Sequence, residues 1–185
     1  MGRDKALLTL RGSPLLVRMA RLIEPMVPCL MVVGRPERYG ELGLRVFPDE
    51  QAGLGPLGGI ATALKLSPCT WNLILSCDLP FLNLPWLEHL IARAVATSAD
   101  AVMPQTARGP EPLCAMYRKI CAPVIGAALA RGLRKVTEGL AGLTVEIVNE
   151  AEWKPFDSSG RLFKNINTPA EYEEARAVVE GDESA

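Results

Sequence analysis

The stretch Asn72-Leu-Ile-Leu-Ser-Cys-Asp78-Leu-Pro-Phe81 decides the fold class. Its apolar and branched residues predict a buried strand that runs directly into a carboxylate, and Pro80 prevents the strand from continuing. Strands without an alternating polar face are typical of parallel sheets that are covered on both sides. The carboxylate at the tip either binds Mg²⁺ together with substrate phosphates or only caps the following turn. Both interpretations of Asp78 stay open at this point.

Predicted strands and helices alternate on both sides of this stretch. Apolar runs predict strands at residues 30–33, 45–47, 73–77, 101–103, 113–117 and 144–148. Helices are predicted from Ser13-Pro14 onward, over 58–66, over 85–97, and from Pro169 to about Glu180, where Thr168 and Glu171 form a capping box. The alternation predicts one α/β domain over residues 1–180, with a mostly parallel sheet, helices on both faces and a disordered tail over 181–185.

Composition excludes several classes of protein. With 185 residues, 22% charged residues and a net charge of -1, the chain has the composition of a soluble globular protein and no polycationic character for nucleic acid binding. No apolar run approaches the ~20 residues that a membrane span needs. The five cysteines lack metal-ligand spacing and predict reduced, mostly buried thiols in a cytoplasmic protein. The single histidine, His89, lies opposite the apolar stripe of its helix and is predicted to be a surface residue.

Two further segments have residue types that bind phosphates. Gly53-Leu-Gly-Pro-Leu-Gly-Gly-Ile60 opens a helix, and its glycines allow backbone N–H groups to approach a phosphate, a ribose or a base, although a plain turn explains them equally well. Lys5 is suited to neutralising charge that develops in phosphoryl transfer, although an isolated lysine is more often only solvated.

Other polar residues lie next to predicted strands and helices. Glu111-Pro112 comes directly before a strand, and Asn165-Ile-Asn167 comes directly before the last helix, so each segment either binds a polar ligand or satisfies local backbone. The cationic pairs Arg134-Lys135 and Arg161/Lys164 either bind anions or form a solvated face. Ligands of parallel sheets bind at the carboxyl ends of the strands, which here are followed by Gly34-Arg35, Asp49-Glu50, Asp78 and Pro104-Gln105.

Taken together and in order, segments of this chain resemble the molybdenum cofactor guanylyltransferase family. The segments are Met1-Gly-Arg-Asp-Lys-Ala-Leu-Leu8, Val32-Val-Gly-Arg35, Pro48-Asp49, Gly55-Pro-Leu-Gly-Gly-Ile60, Cys77-Asp-Leu-Pro-Phe81, Glu111-Pro-Leu-Cys-Ala-Met-Tyr117, Gly132-Leu-Arg-Lys-Val136 and Asn165-Ile-Asn-Thr-Pro169. The resemblance spans residues 1 to about 178. The complete series is more specific than any one of its segments.

The resemblance implies a Rossmann-like nucleotidyltransferase that uses GTP and Mg²⁺, transfers GMP to molybdopterin (Mo-molybdopterin) and releases pyrophosphate. It implies catalytic roles for Lys5 and Asp78, with Asp78 also binding the metal. The implied nucleotide-binding residues are Lys5, Gly34, Asp49, Gly58, Gly59 and Asp78. The implied molybdopterin-binding residues are Glu111, Pro112, Arg134, Lys135, Asn165 and Asn167. The resemblance also leaves room for transient contact with molybdoenzymes or cofactor chaperones.

The resemblance leaves alternatives open in structure and in function. The family begins with a strand and a loop of the pattern Leu-x-Gly-Gly-x-Ser-x-Arg-Met-Gly-x-Asp-Lys, and this sequence starts at the methionine of that loop. We therefore expect either a slot between the strands at 30–33 and 73–77 or a collapse of one strand onto the other. The alternative functions are a transferase that attaches CMP, a sugar-phosphate nucleotidyltransferase, and a non-catalytic molybdopterin carrier.

Overall fold

The computed structural model describes residues 4–50 and 53–181. The strands are β1 (Thr9–Leu10), β2 (Ser13–Pro14), β3 (Val32–Val33), β4 (Val46–Phe47), β5 (Trp71–Leu75), β6 (Ala101–Thr106), β7 (Gly109–Pro110), β8 (Cys114–Arg118) and β9 (Val145–Val148). The α-helices are α1 (Leu15–Ile23), α2 (Pro36–Tyr39), α3 (Gly55–Leu66), α4 (Leu84–Ala96), α5 (Cys121–Ala130), α6 (Val136–Gly139), α7 (Glu150–Trp153) and α8 (Pro169–Gly181). Turns of 3₁₀ helix cover Lys5–Leu7, Glu24–Met26, Gly40–Leu42 and Lys154–Phe156.

The main sheet has the strand order β5-β8-β6, and both β7 and β9 pair with β6. Because β8 is antiparallel to both β5 and β6, and β9 is parallel to β6, the strands β5, β6 and β9 run in one direction. The strands β3 and β4 form a separate parallel pair. The predicted mostly parallel sheet is therefore confirmed in strand direction. The strands β7 and β8 run in the opposite direction, because the chain turns back through the β6–β7 hairpin instead of crossing over through a helix.

Helices cover both faces of the main sheet. Because side chains alternate across a strand, Leu73 and Leu75 of β5 pack with α4 around Trp86, whereas Ile74 packs in a second cluster with α3 and α5. Trp86 and Leu87 have no exposed surface. Burying a side chain of this size stabilises the fold by roughly 1.5–3 kcal/mol. This packing fixes β5, and with it the position of the residues that follow the strand.

Most differences from the sequence predictions lie at the ends of elements. Each predicted strand is present, whereas the predicted helix start at Ser13-Pro14 is wrong, because these residues pair with Thr9–Leu10 in a hairpin and the helix begins at Leu15. The hairpin turn at Arg11 and Gly12 uses positive φ angles of 49° and 69°. The predicted capped start of α8 is confirmed, since Thr168 and Glu171 bond to each other's backbone N–H groups. Of the predicted tail, Gly181 ends α8 and residues 182–185 lie outside the described part.

Two predictions about single residue types need correction. His89 is half-buried, because its ring packs 6.0 Å from the Trp86 ring and 4.9 Å from the Phe156 ring, measured between centroids. All five cysteines are free, as predicted, but only Cys114 and Cys121 are buried and the other three are half-buried. The apolar stripe predicts which side of the helix His89 lies on, but it does not predict that the segment containing Phe156 packs over that side.

An apolar slot of about 520 Å³ lies between β3 and β5. The helices α1 and α3 contribute its other walls. Of the two arrangements expected for these strands, a slot or a collapse, the structure has the slot. Within residues 4–50 and 53–181, no helix is both long and apolar enough to cross a membrane.

Candidate active site

Asp78 lies just beyond the carboxyl end of β5, and its side chain is only 13% exposed. The Ser76 hydroxyl donates a hydrogen bond to Asp78 Oδ1 over 2.6 Å. The backbone carbonyl of Asp78 accepts a hydrogen bond of 3.0 Å from the N–H of Ile166. The strand end is therefore tied to the Asn165-Ile-Asn167 segment, and one carboxylate oxygen is fixed while the other faces the site.

The ammonium group of Lys5 lies against that second oxygen. Lys5 Nζ is 3.3 Å from Asp78 Oδ2 and 2.5 Å from Asn167 Oδ1. Lys5 is 73 residues from Asp78 and 162 residues from Asn167 in the chain, and the fold brings the three side chains together. An ammonium has three N–H donors, and two of them have these partners within the described chain, so one remains for a ligand. Because the Lys5 side chain is 33% exposed, that donor can reach an oxyanion from solvent.

Asp4 links the Lys5 turn to α2, the helix that follows β3. Its carboxylate accepts hydrogen bonds from the Tyr39 hydroxyl (2.9 Å) and from Arg38 (3.0 Å). Burial raises the pKa of Asp4, but these bonds and one from the Ala6 N–H outweigh burial, so the net pKa is lowered. Burial and the Asp4 contact raise the pKa of Tyr39 to about 12. The tyrosine therefore stays neutral at ordinary pH and donates a hydrogen bond to Asp4.

The Tyr39 ring lies directly over Gly34, the residue that follows β3. A Cβ atom on Gly34 would be 2.8 Å from Tyr39 Cε2, which is too close for any side chain without movement of the ring. The N–H of Gly34 donates a 2.9 Å hydrogen bond to the carbonyl of Phe47 at the end of β4. Gly34 is thus held at the carboxyl edge, and a larger residue would push Tyr39 away from Asp4.

Asp49 forms a second polar cluster at the start of α3. Asp49 Oδ1 accepts a 2.8 Å hydrogen bond from the Thr62 hydroxyl, and that hydroxyl oxygen accepts one of 3.3 Å from the Glu50 N–H. A Cβ atom on Gly58 would lie 3.5 Å from Asp49 Oδ2 and 2.7 Å from Leu54 Cβ. The cluster opens into a groove of about 330 Å³ between α3 and α5. Glycine at this position therefore allows Leu54 to pack against α3, and the Asp49 carboxylate lies beside it at ordinary van der Waals distance.

Gly59 faces the other way from its neighbour Gly58. It lines the slot between β3 and β5, and a Cβ atom on it would meet nothing within 4 Å. The two glycines that the sequence assigned to one role are therefore on different sides of α3, and only Gly58 lies against Asp49.

Glu111 lies close enough to Asp78 for the charge of Asp78 to affect its pKa. Burial raises the pKa of Glu111, and the negative charge of Asp78 raises it further. The Thr106 hydroxyl (3.1 Å) and the Arg108 guanidinium (3.4 Å) bond to Glu111 Oε1 and partly offset this rise. The next residue, Pro112, only accepts a hydrogen bond from the buried Tyr117 hydroxyl in the described chain.

The remaining sequence-predicted residues have local contacts or none. Arg134 donates to the carbonyls of Leu129 and Leu133, and Lys135 lies 3.9 Å from Glu138, all within the α5–α6 region. The structure therefore does not bring this pair to the Lys5–Asp78 cluster. Asn165 Oδ1 is buried and has no hydrogen-bond partner among the described residues.

Sequence reasoning missed Ser76 and Tyr39 as members of the site. Ser76 had a local signal, because a hydroxyl two residues before a carboxylate commonly bonds to it. Tyr39 had none, because its partner Asp4 lies 35 residues away. No cluster of three or more His, Cys, Asp and Glu side chains able to hold a metal occurs in the part of the chain that the structure describes.

Comparison with known proteins identifies the family. A model of the MobA-like NTP transferase domain matches residues 1–145. The chain is 34% identical over 188 residues to a probable molybdenum cofactor guanylyltransferase of Nostoc sp., covering 98% of this chain and 85% of that protein. A protein of the same description from Clostridium perfringens is 29% identical over 93% of this chain and 87% of its own length.

Solved structures agree with this assignment. The molybdopterin-guanine dinucleotide biosynthesis protein A of Archaeoglobus fulgidus superimposes with a TM-score of 0.84 at 27% identity, over 97% of this chain and 92% of that one. A 2-C-methyl-D-erythritol 4-phosphate cytidylyltransferase of Thermus thermophilus, at 17% identity over 96% of this chain and 94% of that one, has a TM-score of 0.70 and shows the shared fold alone. The chain therefore belongs to the MobA-like NTP transferase family, together with the molybdenum cofactor guanylyltransferases, and is a nucleotidyltransferase.

Proposed function

We propose that this chain transfers GMP from GTP to molybdopterin. A terminal phosphate oxygen of molybdopterin attacks the α-phosphorus of GTP and forms the new P–O bond. The bond from that phosphorus to the α,β-bridging oxygen breaks, and its electron pair leaves with pyrophosphate. An ionised phosphate is already a nucleophile, so the protein must chiefly position two polyanions and neutralise their charge.

The observation that carries the proposal is the Lys5 ammonium held between Asp78 and Asn167 at the carboxyl end of β5. Charge that develops on the triphosphate oxygens is stabilised best by donors that are already in place. The contacts with Asp78 and Asn167 hold Nζ while one N–H stays free for a phosphate oxygen. We assign Lys5 and Asp78 as catalytic residues for this reason.

The nucleotide is proposed to lie along the carboxyl edge from β3 to α3. Gly34 offers its backbone carbonyl to the base, since its N–H is bonded to Phe47, and a carbonyl can accept a hydrogen bond from the N–H groups of guanine. Asp49, fixed by Thr62, supplies a carboxylate acceptor beside the start of α3. Gly58 lies beside that carboxylate, and Gly59 remains a proposed contact only through its backbone.

Molybdopterin is proposed to approach from the side of Glu111. The support is that Glu111 lies near Asp78 and has a raised pKa, so that its carboxyl is more readily protonated beside an incoming phosphate. The unpaired, buried Oδ1 of Asn165 offers an acceptor to a pterin N–H. Asn167, which accepts a hydrogen bond from Lys5, would lie beside the phosphate end of molybdopterin. Pro112 would restrict the backbone next to Glu111 and so hold that carboxyl in position.

Arg134 and Lys135 are proposed to attract the substrate phosphates from the rim of the site, because both side chains are exposed and cationic. The free cysteines support the proposal of a reducing, cytoplasmic compartment. Both proposals are secondary to the assignment of Lys5 and Asp78.

The residues present fit a magnesium ion bound together with substrate. Mg²⁺ is usually held by one or two carboxylates plus phosphate oxygens, and Asp78, with Glu111 nearby, provides that donor set. When bound, the ion would neutralise charge on the phosphates and polarise the α-phosphorus. Asp78 would hold the ion, and the Ser76 hydroxyl fixes one of the two carboxylate oxygens.

The proposal is tested by incubating the purified protein with GTP, Mg²⁺ and molybdopterin and measuring pyrophosphate and the guanine dinucleotide product. Asp78→Asn and Lys5→Met should each lower the rate by about 100-fold or more, as expected when one preorganised charge is removed. Asp100→Asn and Lys154→Met are matched controls that should stay within about twofold of wild type, because effects of surface substitutions away from a site are small. Asp100 lies at the amino end of β6, away from the carboxyl end of β5 where Asp78 lies, and bonds to Thr144.

Near-wild-type turnover by the Asp78→Asn protein at saturating Mg²⁺ would contradict the assignment of that residue. A cooperatively folded protein that binds GTP and forms no dinucleotide from molybdopterin would contradict the proposed activity itself. Pyrophosphate release that does not depend on molybdopterin would indicate hydrolysis instead of transfer.

A further inference from the structure

Arg108 lies in the two-residue turn of the β6–β7 hairpin, three residues before Glu111. The strands pair Thr106 with Gly109, so Ala107 and Arg108 form the turn. The backbone N–H of Arg108 donates a 3.2 Å hydrogen bond to the Thr106 hydroxyl, and Gly109 has a φ angle of 116°. Because a closed two-residue turn has a defined backbone geometry, the Arg108 side chain leaves the hairpin from a fixed position.

One nitrogen of the Arg108 guanidinium joins two separate parts of the site. Nη2 donates to Glu111 Oε1 over 3.4 Å and to the backbone carbonyl of Phe163. A guanidinium has five N–H donors, and these contacts use two of them. The other three, on Nε and Nη1, have no acceptor among residues 4–50 and 53–181. Because the side chain is 61% exposed, these three donors are open to a ligand from solvent.

The loop from Phe163 to Asn167 contacts both this cation and Lys5. Arg108 donates to the carbonyl of Phe163, and Lys5 donates to Asn167 Oδ1. Four residues of extended chain span at most ~14 Å, so the two contact points are no further apart than that. Midway along the loop, Asn165 Oδ1 is buried and has no partner in the described chain. The loop therefore holds a cation near each end, with an unsatisfied acceptor between them in the sequence.

The carboxylates of the site would repel a second phosphate. The charge of Asp78 acts on the Glu111 carboxyl, so the two carboxylates are close to each other. Lys5 compensates the charge of Asp78, and in the part of the chain that the structure describes Arg108 is the cation that contacts Glu111. A phosphate that approaches two carboxylates is repelled unless cations offset their charge. Arg108 supplies this compensation on the Glu111 side, from which molybdopterin is proposed to approach.

We propose that Arg108 binds the terminal phosphate of the acceptor through the N–H groups of Nε and Nη1, and thereby selects an acceptor that has a phosphate monoester. Lys5 then binds the triphosphate and Arg108 the attacking phosphate, so each polyanion has its own cation. Arginine suits this role because its planar donors match the oxygens of a phosphate. Glu111 and the Phe163 carbonyl hold the guanidinium in advance, so less side-chain entropy is lost on binding. This inference rests on the proposed function, in which molybdopterin is the acceptor.

The test is a binding titration that needs no turnover. Molybdopterin, and the same compound after a phosphatase has removed its phosphate, are titrated anaerobically and without GTP into the wild-type protein and into Arg108→Met. Wild type should prefer the phosphorylated form. Arg108→Met should lose about tenfold of this preference, as expected when a charge-assisted hydrogen bond is removed at a partly exposed site. Its affinity for the dephosphorylated form should stay within about twofold of wild type.

Two further variants separate phosphate binding from support of the loop. Arg108→Gln offers an N–H donor to the Phe163 carbonyl but has no charge, so it should lose the same preference as Arg108→Met. Arg176→Met is the matched control, because Arg176 is also an exposed arginine that pairs with a carboxylate three residues away, Glu173, at 3.5 Å. Arg176 lies about two turns into α8, and its loss should leave the preference unchanged. Thermal melting checks the fold of each variant, and an exposed ion pair contributes little to it.

A normally folded Arg108→Met or Arg108→Gln protein that keeps the wild-type preference overturns the proposal. An equal loss of preference in Arg176→Met overturns it as well, and so does an Arg108→Met protein that binds both forms more weakly by the same factor. If wild type binds both forms without preference, the phosphate contact alone is refuted. If wild type binds neither form, the proposed acceptor is wrong, and the proposed function fails together with this inference.

Discussion

Replacing Ser76 by alanine removes a hydroxyl that holds the Asp78 carboxylate in place. The Ser76 hydroxyl donates to Asp78 Oδ1 over 2.6 Å, and Lys5 contacts the other oxygen at 3.3 Å. Without the hydroxyl the carboxylate can rotate, and its Oδ2 then no longer stays where the ammonium and the phosphates need it. Ser76 is therefore a positioning residue, because it acts on the substrate only through Asp78.

The size of the effect follows from the type of bond. A hydrogen bond to a charged group contributes about 1.5–3 kcal/mol, and the value is expected at the low end because this contact is only partly buried. A loss of about 1.4 kcal/mol in transition-state stabilisation corresponds to a tenfold fall in rate. We therefore expect kcat/KM to fall about tenfold, with most of the change in kcat, because a misplaced carboxylate harms the transition state more than ground-state binding.

The assay is steady-state transfer at several Mg²⁺ concentrations, with two companion variants. Ser76→Thr keeps the hydroxyl and should restore most of the rate. Ser159→Ala removes a similar contact, from Ser159 to Asp157 Oδ1 at 3.5 Å, away from the site and should leave kcat/KM unchanged. A Ser76→Ala protein within twofold of wild type at every Mg²⁺ concentration would refute the reasoning, and so would a failure of threonine to restore activity in a normally folded protein.

Three further predictions concern stability, ionisation and nucleotide choice. Gly58→Ala should destabilise the protein by about 1–3 kcal/mol because the new Cβ meets Leu54 Cβ at 2.7 Å, whereas Gly59→Ala should be neutral or stabilising by up to ~1 kcal/mol; denaturant unfolding compares them. Asp4→Asn should lower the pKa of Tyr39 from about 12 in an ultraviolet titration, and an unchanged value would contradict the contact. The pKa of Asp4 is below 3.8, so its stabilisation is present above that pH and is lost as pH falls through the lowered value, and the variant should lack this loss. GTP should raise the melting temperature more than CTP or ATP, by an amount equivalent to about 2.7 kcal/mol at 100 times Kd, and equal protection by CTP would favour a cytidylyltransferase.

Apolar patterns in the sequence were sufficient for most of the fold. The run that ends at Asp78 identified a strand covered on both faces, and the structure packs Leu73 on one face and Ile74 on the other. The hairpin at residues 9–14 was missed because its strands are two residues long, which is too short for any alternation to appear. The Ser13-Pro14 pair also fits a helix start, and only its pairing with Thr9–Leu10 decides against that interpretation.

The sequence predicted which residues belong to the candidate site, but it did not predict which of them contact each other. Asp78 and Lys5 were recognisable from their residue types and from the resemblance, and the structure joins them. Asn167 was assigned with the pterin-binding residues, yet it lies on the Lys5 ammonium, because the Ile166 N–H ties its segment to the end of β5. Contacts across more than 70 residues depend on where loops cross the sheet, and no local pattern records that crossing.

The slot shows why apolar patterns identify the faces of a strand and not its edges. Side chains alternate across the plane of a sheet, so the sequence of β5 records that Leu73 and Ile74 are covered from opposite sides. Backbone N–H and C=O groups lie within that plane and are the same for every residue except proline, so the sequence contains no record of which edge has a partner. The residues of β5 therefore have the pattern of an inner strand, although one edge faces the slot. A sequence pattern can therefore predict how the faces of a strand are covered, whereas the pairing of its edges has to be read from the structure.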